Sequence, residues 1–344
     1  MLVTLKEKGV SPSSKPWIAA KQVKPLTEEI IKSKLPYPQI AEEGTIDAFK
    51  VWIGKAKVPD YKALKSYSDR VTQKSYPEVL HALSDASVAL GISGVEAYVT
   101  RGERSAGIRA YEGKPSLLLI GYEHLEADSD LFMNPLELRF AIGAEVAHLR
   151  FHHTRLTSSE VWDGVLSKGR QALEIIAVLS GPLAVIGNAA RGLQRFTRFE
   201  RLIQKTEIIT SSMKKVTDMV GFAKNVTDAA ENVKNKKSGQ SDKLLEDEEN
   251  VLKACRQMQL TADRAGLILC GSIQAAVRAM FLTSRHYASE LPTAIRYSLL
   301  ESLTRKDSKG KLLHKELALR VAALGAFYLS DHYEMLSQAL IRSG

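Results

Sequence analysis

The chain has 344 residues, 44% hydrophobic and 25% charged, an ordinary globular composition able to bury the core of one large domain or two smaller ones. Its formal charge of +9 is spread along the chain rather than packed into one block, and no aromatic-basic RNA motif or zinc-finger spacing accompanies it. Nucleic acid is therefore not an expected partner.

Met1 to about Glu43 carries Ser-Pro-Ser-Ser, Lys-Pro-Trp, Lys-Pro-Leu and Leu-Pro-Tyr-Pro, too much proline for a continuous helix or strand. An extended arm over residues 1–44 is expected, wrapping the domain or a partner. Its first eight residues lack a basic region followed by a long apolar run, so no secretory signal is expected. From Thr45 to Leu90 apolar residues recur at helical spacing, among them Ile46, Phe49, Ile53, Val71, Val79, Leu83 and Leu90, and predict helices. Gly91 to Thr100 and Ser116 to Ile120 are short, β-rich and bounded by Gly or Pro, and predict strands of a small sheet.

Pro135 followed by Glu137 marks a helix start. After this helix the uncharged run Ile175 to Ala190 is broken by Gly181-Pro182 and falls short of the roughly 20 residues a membrane span needs, so a buried helical turn is favoured over a membrane contact. Phe196 to Val233 keeps an amphipathic helical period. Asn232 to Asn250, basic and then acidic, predicts a mobile solvated loop. Two cysteines, Cys255 and Cys270, stand in no metal-ligand spacing and read as reduced core thiols of a cytoplasmic protein. No internal repeat is evident, so a solenoid is not expected.

The segment Ala144-Glu145-Val146-Ala147-His148 has the form of a zinc-peptidase active-site helix without its first ligand. Such a helix needs two His one turn apart on one ion, and a Glu after the first to deprotonate the zinc-bound water. Glu145 and His148 hold the base and second-ligand places, while Ala144 offers a methyl group. With three further segments the chain resembles the HtpX and CAAX-prenyl-protease type of zinc metallopeptidase. These are Ser105 to Gly121, similar to the family's small-residue strand, turn and apolar strand beside the substrate cleft; Gln259-Leu260-Thr261-Ala262-Asp263-Arg264-Ala265-Gly266, similar to its Glu-x-x-Ala-Asp-Arg-Ala-Gly helix; and His314 to Val321, similar to its His-Pro-to-Arg stretch, with Lys315 in place of the Pro. The segments span roughly residues 60 to 340, in the family's order.

The resemblance implies an α+β, mainly helical, zincin-like metallopeptidase fold over residues 45–344, with a small sheet on the active-site helix and a helical insertion and loop at about 160–250. It puts the lost ligands at Ala144 and Gln259, a vestigial ligand at His148, a vestigial base at Glu145, and supporting groups at Asp263, Arg320 and His153. It also implies a peptide-binding sheet edge at Leu117, Leu118, Leu119 and Ile120. A neutral amide is a poor zinc ligand, so no cofactor is expected unless the site is rebuilt, for example from His148, His152 and a carboxylate. Glu145 is expected to pair with Arg139 or Arg150, His148 to hydrogen-bond near Asp263 or Glu145, and Asp263 to be satisfied by Arg264 or His148. Arg320 is expected to pair with an acidic neighbour, and His124 and His153 to be surface or packing residues. The function expected is a pseudopeptidase that binds a protein or peptide; the alternative is an active zinc-dependent metalloendopeptidase with rearranged ligands.

Overall fold

The structure, a computed structural model, describes residues 23–48, 65, 68–100, 107–153, 248–283, 285–308, 310 and 312–340. The runs expected at 160–247, including Ile175 to Ala190, lie outside the described residues. Ten helices and four strands make an α+β fold, mostly helical, around one mixed sheet of order β1-β2-β4-β3 among the described residues. No helix among them is long and apolar enough to cross a membrane.

The arm contains a helix, α1 (Glu28–Lys34), which fits between Pro25 and Pro36 and is capped by the Thr27 hydroxyl. Its Ile31 and the following Leu35 are buried. The flanking backbone is fastened to the domain: Lys24 N–H donates to Leu340 O and Leu26 N–H to Ala89 O, both at 3.0 Å. Strand β1 (Ser68–Arg70) corrects the all-helical reading of residues 45–90, because pairing with β2 (Val95–Thr100) in register Ser68↔Thr100 outweighs the helical pattern. Helix α2 (Pro77–Leu90) follows as expected, from Pro at its first turn to Gly91 at φ 65°, where the left-handed C-cap suits glycine.

Strand β3 (Ile108–Tyr111) runs antiparallel to β4 (Ser116–Gly121), and β4 runs parallel to β2. β4 is thus bonded on both sides. Leu117 to Ile120 cannot be the peptide-accepting edge, since their backbone groups already face two neighbours; among the described residues the edges are β1 and β3.

Helix α3 (Pro135–Arg150) is central, buried along almost its whole length and packed on α2, β3, α4 (Glu248–Cys270) and α5 (Ile273–Leu282). Its start is a capping box. Asn134 Oδ1 accepts from Leu136 and Glu137 N–H, and Glu137 Oε2 accepts from Asn134 N–H at 2.9 Å. The other Glu137 oxygen accepts from Arg278 Nε of α5 at 2.6 Å, so one buried carboxylate both starts α3 and ties it to α5. Helix α4 begins at Glu248, so Glu248 to Asn250, expected in a loop, are helical, and the rest of that run lies outside the described residues. Short helices α6 (Arg285–Ala288), α7 (Leu291–Arg296) and α8 (Leu299–Thr304) lead to α9 (Lys315–Tyr328) and α10 (Asp331–Leu340).

Candidate functional site

Helices α3 and α4 cross where each offers a glycine. A Cβ on Gly266 would sit 2.5 Å from Phe140 O, and one on Gly143 would sit 2.6 Å from Leu269 Cδ1. Only hydrogen at these places lets the backbones approach so closely. The crossing brings the stripe Gln259, Asp263 and Gly266 of α4, at i, i+4 and i+7, onto α3. The opposite stripe of α4 holds the arm. Gln257 Oε1 accepts from Ile40 and Ala41 N–H, Thr261 Oγ1 accepts from Tyr37 N–H at 2.9 Å, and Arg264 Nη1 donates to Pro36 O at 2.7 Å. Arg264 is also sandwiched by Tyr37 and Phe327, its guanidinium carbon 4.9 and 4.5 Å from the two rings. It is therefore a clamp on the arm and does not satisfy Asp263.

Asp263 is instead held side-on by Arg320 of α9, with Nε to Oδ2 at 2.9 Å and Nη2 to Oδ1 at 2.8 Å. Burial alone would lower the Arg320 pKa, but Asp263 raises it, so the guanidinium stays charged. Gln259 Nε2 donates to the same Oδ1 at 3.0 Å. That bond orients the amide beside His148. His148 Nδ1 faces His153 Nδ1 at 3.3 Å. Arg320, Asp263 and Gln259 thus form one bonded series beside the His148–His153 pair. For the two rings to be hydrogen-bonded, one Nδ1 carries the proton and the other the lone pair.

His153 reaches His148 through the end of α3. His153 N–H donates to His148 O at 2.7 Å and His152 N–H to Leu149 O at 3.2 Å, the double bond pattern of a Schellman motif, with His152 at φ 58° in the place glycine usually takes. His152 therefore leaves the helix face and meets Glu112 at 3.2 Å, exposed. It does not join His148 in a rebuilt site. His124 is buried, its Nδ1 3.0 Å from Leu131 O, as a packing residue. The location of His153 inside the cluster was legible only as a family position.

Glu145 pairs with neither basic neighbour on its own helix. Arg139 reaches Asp85 at 2.6 Å and Arg150 reaches Glu28, whereas Glu145 Oε2 accepts from Ala110 N–H of β3 at 2.8 Å and Oε1 faces Arg109 Nη1 at 3.5 Å. Burial pushes the Glu145 carboxyl above its ordinary value against the pull of Arg109 and of the Ala110 N–H. Arg109 is the site residue that sequence reasoning missed; the signal was a charged residue inside a short β-rich run.

Burial, with Arg109 and Arg320 nearby, lowers His148 to about 3. The unfolded chain then binds a proton that the folded one refuses between roughly pH 6.5 and 3. The contribution of this group to stability is present above pH 6.5 and is lost as pH falls, by about 1.4 kcal/mol per pH unit. His148→Gln is expected to flatten the pH dependence of the urea midpoint between pH 7 and pH 5 relative to the unaltered protein. An unchanged slope would mean that the imidazole is not held neutral.

No family model, no curated protein and no solved structure matches this chain. The zinc fit can be judged on the donors themselves, and they do not fit. Ala144 presents a methyl group, and the Gln259 amide donates to Asp263. Among the described residues no group of three or more His, Cys, Asp or Glu is disposed to hold a metal ion. Both thiols are pushed up to about 12 by burial, so neither Cys255 nor Cys270 is a nucleophile.

Proposed function

We propose that the protein is a catalytically degenerate, zincin-like metallopeptidase homologue, acting in the cytoplasm as a binding or scaffold module for a protein or peptide. The observation that carries this reading is the engagement of Glu145. A general base must be free to reach a water, yet this carboxylate accepts from Ala110 N–H at 2.8 Å and joins strand to helix. Support also comes from convergence: positions 109–110, 145, 148, 259, 263 and 320 come from four separated segments and meet in one buried cluster. The likeness to the HtpX type of peptidase assigns most of these positions to one site.

The test is restoration. Ala144→His together with Gln259→Glu is expected to raise zinc affinity by orders of magnitude, and either change alone much less, because three strong donors are needed together. Equal zinc affinity in all four forms would sink the reading. A second reading, an active zinc-dependent metalloendopeptidase with rearranged ligands, draws on the His148 and His153 Nδ1 atoms, 3.3 Å apart. Two nitrogens at about 2.0–2.1 Å on one tetrahedral zinc lie about 3.4 Å apart. Tight zinc binding by the unaltered protein, lost in His153→Ala, would favour it.

A further inference from the structure

We propose that Arg109 is a receptor for a carboxylate of an extended peptide, a refinement that rests on the peptide-binding reading of the same site. The two buried guanidiniums of the cluster are used very differently. Arg320 gives the Nε and Nη2 edge of its guanidinium to Asp263 in two bonds below 3 Å. Arg109, only 7% exposed, makes one long contact of 3.5 Å from Nη1, and its Nε is sealed from solvent with no partner among the described residues. A buried guanidinium donor without an acceptor is costly, and it marks the direction from which an acceptor is missing.

Glu145 does not supply that acceptor, since its better bond goes to Ala110 N–H. The free edge of Arg109 has the planar fork that matches one carboxylate side-on, as Arg320 matches Asp263. Charge sets the limit on the ligand. Two Arg and two carboxylates already balance in the cluster, so a single monoanion suits it better than a phosphate dianion, which would face Glu145 and Asp263. The strand that carries Arg109 argues for a peptide. β3 is an edge among the described residues, and the Ala110 N–H points away from β4 toward Glu145. Ile108, of the same parity, turns its own N–H and C=O away from β4, on the side where an added strand would pair.

Acetate is the first probe, titrated against the full chain at constant ionic strength with chloride as the exchanged ion, with thermal midpoint as readout. A saturable rise is expected in the unaltered protein. It should vanish in Arg109→Gln and weaken by about tenfold in Arg109→Lys, which keeps the charge but loses the fork. No saturable rise, or the same rise in Arg109→Gln, overturns the carboxylate receptor. Three fluorescein-labelled pentapeptides then separate the sources by anisotropy: Val-Thr-Val-Thr-Val as free acid, the same as amide, and Val-Thr-Glu-Thr-Val as amide. Preference for the free acid assigns a C-terminal carboxylate, and preference for the Glu peptide an acidic side chain. Equal binding of all three without an acetate response overturns the role of Arg109 while leaving a peptide-binding module intact. An acetate response with no peptide bound overturns the peptide partner.

Discussion

Arg320→Met is expected to lower the unfolding free energy by about 3–5 kcal/mol, because it leaves the Asp263 carboxylate buried without its counter-charge. Asp263 is fully buried and accepts three bonds, two of them from Arg320. Losing that partner also loosens the Gln259 amide, which donates to Asp263. Adding Asp263→Leu should recover part of the loss, since an apolar pair of similar volume can replace a buried ion pair at little cost. Urea denaturation of the two single variants and the double variant closes the cycle. A single-variant loss below about 1 kcal/mol, the size found for exposed pairs, would show that Asp263 and Arg320 are solvated in solution.

Gly266→Ala should destabilise by about 1–3 kcal/mol, although alanine is the better helix former by about 1 kcal/mol. The added methyl meets the Phe140 carbonyl oxygen at 2.5 Å, and a backbone atom inside a buried helix cannot step aside. Helices α3 and α4 must then separate, which pulls Gln259 away from His148. Gly143→Ala should cost less, because its nearest obstacle is the mobile end of Leu269. The imidazole resonances of His148 and His153 report the site directly: they should shift in Gly266→Ala even where the protein remains folded. A neutral or stabilising Gly266→Ala would mean that the close crossing does not hold in solution.

Much of the site was legible because its residues sit in compact local patterns. The helix around Glu145 and His148 announces itself through Pro135 and Glu137, and strands β2 and β4 through β-rich runs bounded by Gly or Pro. The partners of those residues were not legible, since they are set by crossings between segments far apart in the chain. Glu145 has basic neighbours on its own helix, yet Arg139 and Arg150 face outward to Asp85 and Glu28, while the buried side of the helix looks at β3. Asp263 likewise has Arg264 beside it in sequence, but adjacent positions on a helix point apart, and Arg264 holds the arm. The edge of the sheet was misplaced by one hairpin. The most apolar strand, β4, is apolar because it is central, whereas the edge strand β3 carries the buried Arg109.

Zinc content of the purified full chain, measured by elemental analysis after exposure to excess zinc and desalting without chelator, tests the degenerate-site reading most directly. The donors present, an engaged imidazole pair, a methyl and an amide, predict a stoichiometry near zero. About one zinc per chain, abolished by His148→Ala, would contradict it.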